Sequence, residues 1–588
     1  MEYALDRFED EARTAIEATG LVAPESIDLA EPKANVPADL SFPCFRAAKG
    51  QGRNPAELAG ALAAAITPSP DGLLGEARAM GPFLNFRLNS RNLVKEVLAE
   101  VERLADHYGW DDVGKGQRAI VEYSSPNIAR KMNIGHLRPT IIGHAIHNIL
   151  DALGYETISD NHLGDWGTQF GGLLYAYTTW GFRSELEHDP IEAMVELYAR
   201  FNRAAEENPA LRDEARRWFK RLEDGDPEAR RVWRWMIDLS IDEFKRTYER
   251  LGITFDHYYG ESWYEPMLQR VIDEAIARGV AKVEESGAVS VSFDEKLPSY
   301  LIRTTDGRTL YQTRDIAAAI YRWERWQPAR NIYVVGQEQT LHFQQVFETL
   351  RRMDYTEIAD ASIHIPNGHI QRPEGGRFAM RRGTVIFLED VLDEAVDRAR
   401  VIVDEKNPDL PEEERAAIAE AVGVGAVIYN DLYQDPKRNI TFDWDRMLSF
   451  VGNSAPYIQM MHARCCSILR EAGLRPVPPE PGVNLPLWDG LPTANVEILI
   501  EDAEVNLVKE MARLPQVLRR AGANFTPYSI AEWLYETSRA FSRFYDELSV
   551  LGAPSPELRA ARLQLVAATA QALRNGLRLL GIRAPERM

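Results

Sequence analysis

Four side chains within seven positions, Arg130, Lys131, Asn133 and His136, have the chemistry to act together on a polyphosphate. Two are cations, one is a neutral amide donor, and the imidazole both donates and accepts. They belong to the stretch Val121-Glu-Tyr-Ser-Ser-Pro-Asn-Ile-Ala-Arg-Lys-Met-Asn-Ile-Gly-His-Leu-Arg138. Ala119 to Tyr123 is short, β-rich and preceded by the polar turn Gly114-Lys-Gly-Gln, which predicts a strand. Ser124-Ser125-Pro126-Asn127 is turn chemistry. From Gly135 onward Leu137, Ile141, Ile142, Ala145, Ile146, Ile149, Leu150 and Leu153 recur at helical spacing, and Gly154 stands where a C′ residue belongs. The predicted order is strand, irregular loop, helix N-terminus. Such a helix start directs free backbone N–H groups and the positive end of a dipole at whatever lies beyond the strand. The same residues also fit an ordinary β-α crossover with solvated polar side chains. No G-x-x-x-x-G-K-S/T occurs, which excludes the usual P-loop.

Three further stretches resemble strand exits. Thr157 to Gly171 is a short strand followed by polar groups and glycines, a composition that suits close backbone approach or a tight turn. Leu301-Ile-Arg-Thr alternates, Asp306-Gly307 predicts a hairpin turn, and Leu310 to Ala319 reads as strand into helix. Arg330 to Gly336 is a buried-strand run that exits into Gln337-Glu-Gln-Thr-Leu-His-Phe-Gln344. Strands alternating with helices imply a parallel α/β sheet, and ligands lie beyond the carboxyl ends of such strands. The polar clusters Ser124–Asn127, Asp160–Gln169, Tyr311–Asp315 and Gln337–His342 are each expected to follow a strand, so four exits would meet at one crevice.

The totals limit what surrounds that crevice. A chain of 588 residues holds roughly three or four domains. With 45% hydrophobic and 27% charged residues the composition is globular. No run of apolar residues is long enough to span a membrane. The N-terminus is acidic and amphipathic, unlike a signal peptide. The cysteines are Cys44, Cys465 and Cys466; the adjacent pair reads as buried thiols on a helix, and no C-x-x-C suggests a zinc site. A reducing cytoplasm fits this usage. The net charge of −21 argues against a general nucleic-acid binder but allows one specific RNA partner. Residues 501–588 carry about +2, mostly from arginine on predicted helices, which suits phosphate contact as well as it suits a solvated surface.

Residues 1–112 predict a small α+β unit, with helices over Ala4 to Ala18, Pro55 to Ile66 and Asn92 to Tyr108, and with Phe83 to Leu88 alternating like an edge strand. Residues 113–390 predict the α/β domain, interrupted by a helical insertion at about 180–290 in which Trp218, Trp233, Trp235 and Met236 read as packing residues. Residues 391–588 predict almost uninterrupted helix.

Asn133-Ile-Gly-His136 resembles the H-I-G-H signature of class I aminoacyl-tRNA synthetases. The longer run Glu122-Tyr-Ser-Ser-Pro-Asn-Ile-Ala with Gly-His-Leu-Arg138 resembles its arginyl-tRNA synthetase form. The stretches Gly164-Asp-Trp-Gly-Thr-Gln-Phe-Gly171, Asp256 to Ser262, Thr441 to Gln459 and the C-terminal Ala561 to Met588 are similar to the same family, so the likeness runs along nearly the whole chain. The resemblance implies a Rossmann-like parallel-sheet catalytic domain with a helical insertion, a small α+β N-terminal domain that touches the tRNA elbow, and an all-α anticodon-binding bundle. It implies ligation of L-arginine to tRNA(Arg) with ATP and Mg²⁺, activation that requires bound tRNA, a monomer and a cytoplasmic location. A packing or solubility role for residues 1–112 stays open.

Within the resemblance, Glu122, Tyr311, Asp315 and Gln339 fall at arginine-pocket positions, and Asn127 falls where the α-ammonium or carboxylate is held. A guanidinium offers five fixed N–H donors and therefore needs carboxylates and planar acceptors. The simpler alternatives are a surface salt bridge for Glu122 and a helix N-cap for Asp315. Gly135, His136 and the backbone of Gly368, His369 and Ile370 are expected to hold ATP. Two positions depart from the family pattern. Asn133 replaces the first signature histidine, and the loop expected to read K-M-S-K-S is Arg377-Phe-Ala-Met-Arg-Arg-Gly383, without lysine or serine. Arg130 or Lys131, together with Arg381, is expected to supply the missing charge. These departures leave two other readings: a non-catalytic tRNA-binding paralogue, and an ATP-using enzyme for a guanidine ligand without RNA.

Overall fold

The computed structural model describes residues 2–33, 35–181, 190–294, 297–371, 386–477 and 488–588. The amphipathic spacing of Phe8, Ala12 and Ile16 places one face of the Ala4–Ala18 helix in the N-terminal core. That core is closed by Leu40–Pro43 (β1), Leu74–Met80 (β2) and Phe83–Leu88 (β3), an antiparallel sheet in the order β1-β3-β2. Phe83–Leu88 is therefore the central strand, not an edge. Its face opposite Leu84 and Phe86 is also covered: Asn85 is buried and accepts a hydrogen bond from Ser41 Oγ at 2.8 Å. The edges are β1 and β2, and the small and charged residues of β2 give no alternating signal.

Arg118–Glu122 (β4) and Glu156–Asp160 (β5) are joined by the Leu137–Ala152 helix, the crossover a parallel pair requires. The helix lies directly on β4: a Cβ on Gly143 would meet Tyr123 Cβ at 2.2 Å, so only glycine fits there. Gly154 ends the connection at φ +82°, as its position predicts. Ala281–Val283 (β6), Val289–Val291 (β7) and Tyr300–Arg303 (β8) form a separate antiparallel sheet. The expected placement of Leu301 in the main sheet is thus corrected, and the far end of the expected insertion is strand. Arg330–Gly336 (β9) and Ser362–Asn367 (β10) complete the main sheet, parallel throughout, in the order β10-β9-β4-β5. Three of the four expected strand exits follow its strands. The fourth, Tyr311–Asp315, begins the Tyr311–Trp326 helix instead, because the polar Gln312, Thr313 and Arg314 pack inward there rather than pairing with a strand.

The insertion contributes the helices Pro190–Glu207, Ala210–Glu223 and Pro227–Leu251. Trp233 and Met236 are buried, and Trp166 packs edge-on against Trp233 and Phe219. Trp218 and Trp235 lie partly buried against the same core, so all four act in packing. Beyond Ile370–Gln371 (β11), which pairs with Ile440–Thr441 (β12), the described chain is helical apart from one further short ladder. Cys465 and Cys466 are buried free thiols on the Ala455–Glu471 helix.

One buried ion pair joins the crossover helix to this helical region. Arg138 Nε and Nη2 each donate at 3.0 Å to Asp431 on the Glu412–Leu432 helix, and Arg138 Nη1 donates to the Arg438 carbonyl at 2.6 Å. Removing one partner leaves a buried charge uncompensated. Asp431→Ala should therefore lower stability by about 3–5 kcal/mol in chemical unfolding, while the double change Arg138→Met with Asp431→Leu should lower it far less. Equal losses in the two variants would contradict this role.

Candidate active site

The chain leaves β4 through Ser124 at φ +74° and Ser125 at φ +51°. Two consecutive non-glycine residues in the left-handed region cost of order 1 kcal/mol each, so neighbouring groups must hold them. Tyr248, from the inserted Pro227–Leu251 helix, lies 2.7 Å from Ser124 Oγ and accepts from Asn161 Nδ2 at 2.9 Å. Asn161 Oδ1 in turn accepts the Ser125 N–H at 3.2 Å. Thr140 Oγ1 lies 2.8 Å from Ser124 Oγ and 2.6 Å from the His136 carbonyl. The strained exit is thus bonded to the insertion, to the β5 exit and to the crossover helix.

The helix start differs from expectation. Asn133 caps it, its Oδ1 accepting the Gly135 N–H at 2.8 Å. The His136 N–H bonds the Asn133 carbonyl, and the Ile134 N–H bonds the Ile386 carbonyl. These backbone donors, Gly135 included, are occupied within the protein, because asparagine is a strong N-cap and supplies the acceptor itself. What the helix start offers is its dipole and two side chains. The Asn133 amide keeps its NH₂ end as a donor. His136 Nδ1 lies 3.0 Å from the Asn133 N–H, closer than its 3.3 Å to the Asn133 carbonyl. Acceptance from that N–H places the imidazole hydrogen on Nε2. Burial holds the His136 pKa below its ordinary value against the opposing Asn133 contact, so Nε2–H is a neutral donor.

Glu122 and Asp160 end β4 and β5 in register. Both accept from Arg322 Nη2, at 2.6 and 2.7 Å, and all three side chains are buried. Tyr311, Asp315 and Arg322 share one face of the Tyr311–Trp326 helix by their spacing. Asp315 pairs with His342 Nε2, and the Tyr311 ring lies 4.7 Å from the His342 ring. Glu122 pairs in register with Tyr333 of β9, whose phenol pKa is raised by burial, lowered by Arg322 and raised further by the Glu122 and Asp315 carboxylates. His162, beyond β5, responds to the same carboxylates: burial opposes its charge, but Glu122 and Asp315 hold its pKa raised. Gln339 sits in the turn after β9, half-buried at the entry to the helix that carries His342. Asn127 is exposed and pairs with Gly164, where a Cβ would come within 2.1 Å of Asn127 Oδ1.

Glu122 is therefore in a buried ion pair rather than a surface one, and Asp315 lies inside its helix rather than at the N-cap. Asp160, His162 and His342 fall within the expected strand-exit clusters without an assigned role, and Arg322 lies outside those clusters. For Arg322 the available signal was its spacing of seven from Asp315 on one helix. Arg130 is exposed with Nη2 3.5 Å from Gln169 Oε1, and Lys131 Nζ lies 4.0 Å from Glu192, so both turn toward the 168–207 region. Arg381 and the loop Arg377–Gly383 lie outside the described residues. The chain after that loop bonds the signature: Ile134 N–H to the Ile386 carbonyl at 3.0 Å and Leu388 N–H to the Met132 carbonyl at 2.9 Å. Before it, the Gly368 N–H bonds the Pro436 carbonyl, the His369 N–H bonds Asn439 Oδ1, and the His369 carbonyl accepts from Ile440. The N–H groups of Gly368 and His369, expected near adenine, are thus bonded within the protein's own chain. Ile370, paired in register with Ile440, directs its N–H and C=O to the side away from β12.

Comparison with known proteins matches three family models: "Arginyl tRNA synthetase N terminal domain" over residues 6–88, "tRNA synthetases class I (R), catalytic domain" over 100–444, and "DALR anticodon binding domain" over 458–588. The arginine–tRNA ligase of Chloroflexus aggregans is 51% identical, with 100% of both chains covered. That of Clostridioides difficile is 40% identical, covering 99% of this chain and 98% of the relative. The solved arginyl-tRNA synthetase of Thermus thermophilus superposes with a TM-score of 0.79 at 24% identity, over 99% of this chain and 100% of that one. The fold is shared with it.

The histidine assignment has a direct check. A base whose folded pKa is lowered binds its proton first in the unfolded chain, so stability from His136 is present above about pH 6.5 and declines as pH falls below it. Selective ¹³C labelling and NMR should show the His136 ring titrating below about 6.5; titration at or above that value would contradict the burial argument.

Proposed function

The chain belongs to the arginyl-tRNA synthetases of class I, the arginine–tRNA ligases, and we propose that the cluster beyond β4, β5 and β9 is where its reaction is carried out. The reaction joins L-arginine to the 3′-terminal adenosine of tRNA(Arg) through arginyl-adenylate, consuming ATP. A carboxylate oxygen of arginine attacks the α-phosphorus, the bond from that phosphorus to the bridging oxygen breaks, and pyrophosphate leaves. The terminal ribose hydroxyl then attacks the arginyl carbonyl carbon and AMP leaves. Both steps need positioned reactants and stabilised charge more than covalent help from the protein.

The observation that carries the site assignment is the bonding of Glu122 and Asp160, at the ends of β4 and β5, to Arg322, whose helix also carries Tyr311 and Asp315. Glu122 and Asp315, with Tyr311 and Gln339, read the guanidinium of the substrate, and Asn127 holds the α-ammonium or carboxylate. His136 Nε2–H and the Asn133 amide donate to the α-phosphate, where negative charge grows. Asparagine serves there because the partner histidine is itself neutral: two neutral donors with fixed geometry replace two imidazoles. Arg130 or Lys131, with Arg381, supplies the remaining positive charge. Ile370 offers an N–H and C=O edge to adenine. Mg²⁺ enters with ATP, on its phosphate oxygens. The domains divide at 1–112, 113–390 and 391–588, with the first on the tRNA elbow and the last on the anticodon. Activation depends on bound tRNA, and the protein works as a monomer in the cytoplasm.

Three measurements test this reading. Arginine-dependent exchange between ATP and pyrophosphate should occur with tRNA(Arg) and be absent without it; absence in both conditions, with tRNA still bound, would point to the non-catalytic alternative. Glu122→Gln should raise KM for arginine about a hundredfold, from loss of roughly 3 kcal/mol of charge-assisted hydrogen bonding, and leave KM for ATP nearly unchanged. Separate alanine variants of Arg130, Lys131 and Arg381 should identify the activating cation, and full activity in all three would remove that assignment.

A further inference from the structure

Arg322 is a fully buried guanidinium whose Nε and Nη1 have no hydrogen-bond partner among the described residues. Its Nη2 bonds both Glu122 and Asp160, and the guanidinium carbon lies 5.3 Å from the Tyr333 ring centroid. A methionine or leucine would fill similar volume without the desolvation cost, and replacing buried ion triads by apolar residues commonly stabilises a protein. An incompletely bonded charge at this place therefore needs a reason other than stability.

We propose that Arg322 is a positioning residue for amino-acid selection, an internal guanidinium that holds Glu122 Oε2 and lets Glu122 and Asp160 carry their charges side by side, so that Glu122 Oε1 is presented to the guanidinium of the substrate. The inference rests on the reading of Glu122 as part of the arginine pocket. Carboxylate oxygens that share one donor nitrogen lie within about 5 Å of each other, and two buried carboxylates at such spacing without a cation share a proton. A protonated Glu122 would turn a donor toward a ligand that offers only donors. Arg322 removes that outcome and fixes the carboxylate plane through one oxygen. The other titratable groups around Glu122 are Asp160 and His162 from the β5 exit, Asp315 from the helix of Arg322, Tyr264 from the turn before the 265–277 helix, and Tyr333 from β9, with Glu261 beside His162. The Glu122 and Asp315 carboxylates raise the His162 pKa against burial and Arg322 lowers it, so His162 also responds to the loss of Arg322 and the Glu122→Gln background is needed to assign any change to Glu122.

The test is steady-state aminoacylation by the full chain with tRNA(Arg) between about pH 5.5 and 8.5, the range that spans a shared carboxylate proton. Arg322→Met should raise KM for arginine at least about tenfold, the loss of one aligned charge-assisted acceptor. The increase should be largest at low pH and shrink as pH rises, because the shared proton then leaves. kcat at saturating arginine, KM for ATP and the affinity for tRNA should change less than about twofold. Arg322→Lys, which keeps a cation without the fork, should restore most of the affinity and flatten the pH profile. In Glu122→Gln, adding Arg322→Met should produce no pH-dependent component. If Arg322→Met does not fold, the polar Arg322→Gln carries the same comparison. A KM increase independent of pH, or a fall in kcat together with a rise in KM for ATP, would make Arg322 a structural residue and overturn the proposal. If Glu122→Gln leaves KM for arginine unchanged, the pocket assignment fails instead.

Discussion

At the carboxyl ends of β4 and β5 three charged side chains lie buried. Glu122 and Asp160 arrive there because the strands are parallel and in register, which puts both side chains on one level. Two carboxylates so placed repel each other, and each has lost its hydration. Arg322 answers both costs from a helix that packs against the small antiparallel sheet, not against β4. The position of the Tyr311–Trp326 helix is therefore tied to the main sheet by charge. Tyr311 and Asp315 ride on that helix, so the placement of one half of the cluster follows from the ion triad formed by the other half.

A second set of contacts aligns the signature segment with the rest of the chain. Ser124 and Ser125 take up left-handed backbone only because Tyr248, Asn161 and Thr140 bond around them. Tyr248 comes from the insertion, which gives those helices a part in shaping the site beyond packing. Further out, Arg138 and Asp431 fix the crossover helix to the helical region. The N-terminal unit meets the same region through the Tyr108 hydroxyl, which donates to the Met511 carbonyl at 3.0 Å, and through Arg519 Nη1 and Asp111 at 2.6 Å. Buried polar contacts of this kind require matched partners on both sides, so they define how the parts dock more sharply than apolar area alone.

The capped helix start changes how phosphate recognition is understood here. A helix N-terminus is commonly an anion site because its first N–H groups are unpaired. In this chain Asn133, its carbonyl and the Ile386 carbonyl fill those groups. The dipole persists, and the side-chain donors left at this start are the Asn133 amide and His136 Nε2–H, both neutral, so in the proposed reaction the positive charge falls to arginine and lysine elsewhere.

The linear order of residues determined the fold class and the family: alternating strand and helix patterns, the run from Glu122 to Arg138, and the helical C-terminal third all have local signatures. Through the family resemblance it also singled out Glu122, Asn127, Asn133, His136, Tyr311, Asp315 and Gln339, residue types that suit a guanidinium and a phosphate. Tertiary structure decided what pattern cannot express. Phe83–Leu88 became a central strand because another strand with no alternation covered its open edge. Tyr300–Arg303 joined a separate sheet because strand pairing is a choice among distant partners, and no residue within the strand encodes that choice. Arg322 looks like any helical arginine until β4 and β5 bring two carboxylates to its Nη2. Asn133 likewise could be read as a phosphate donor from its position, and only the backbone geometry showed that one end of its amide already caps the helix. Spacing fixes which face a side chain shares; the partner across that face, and hence its charge and its role, comes from how the elements pack.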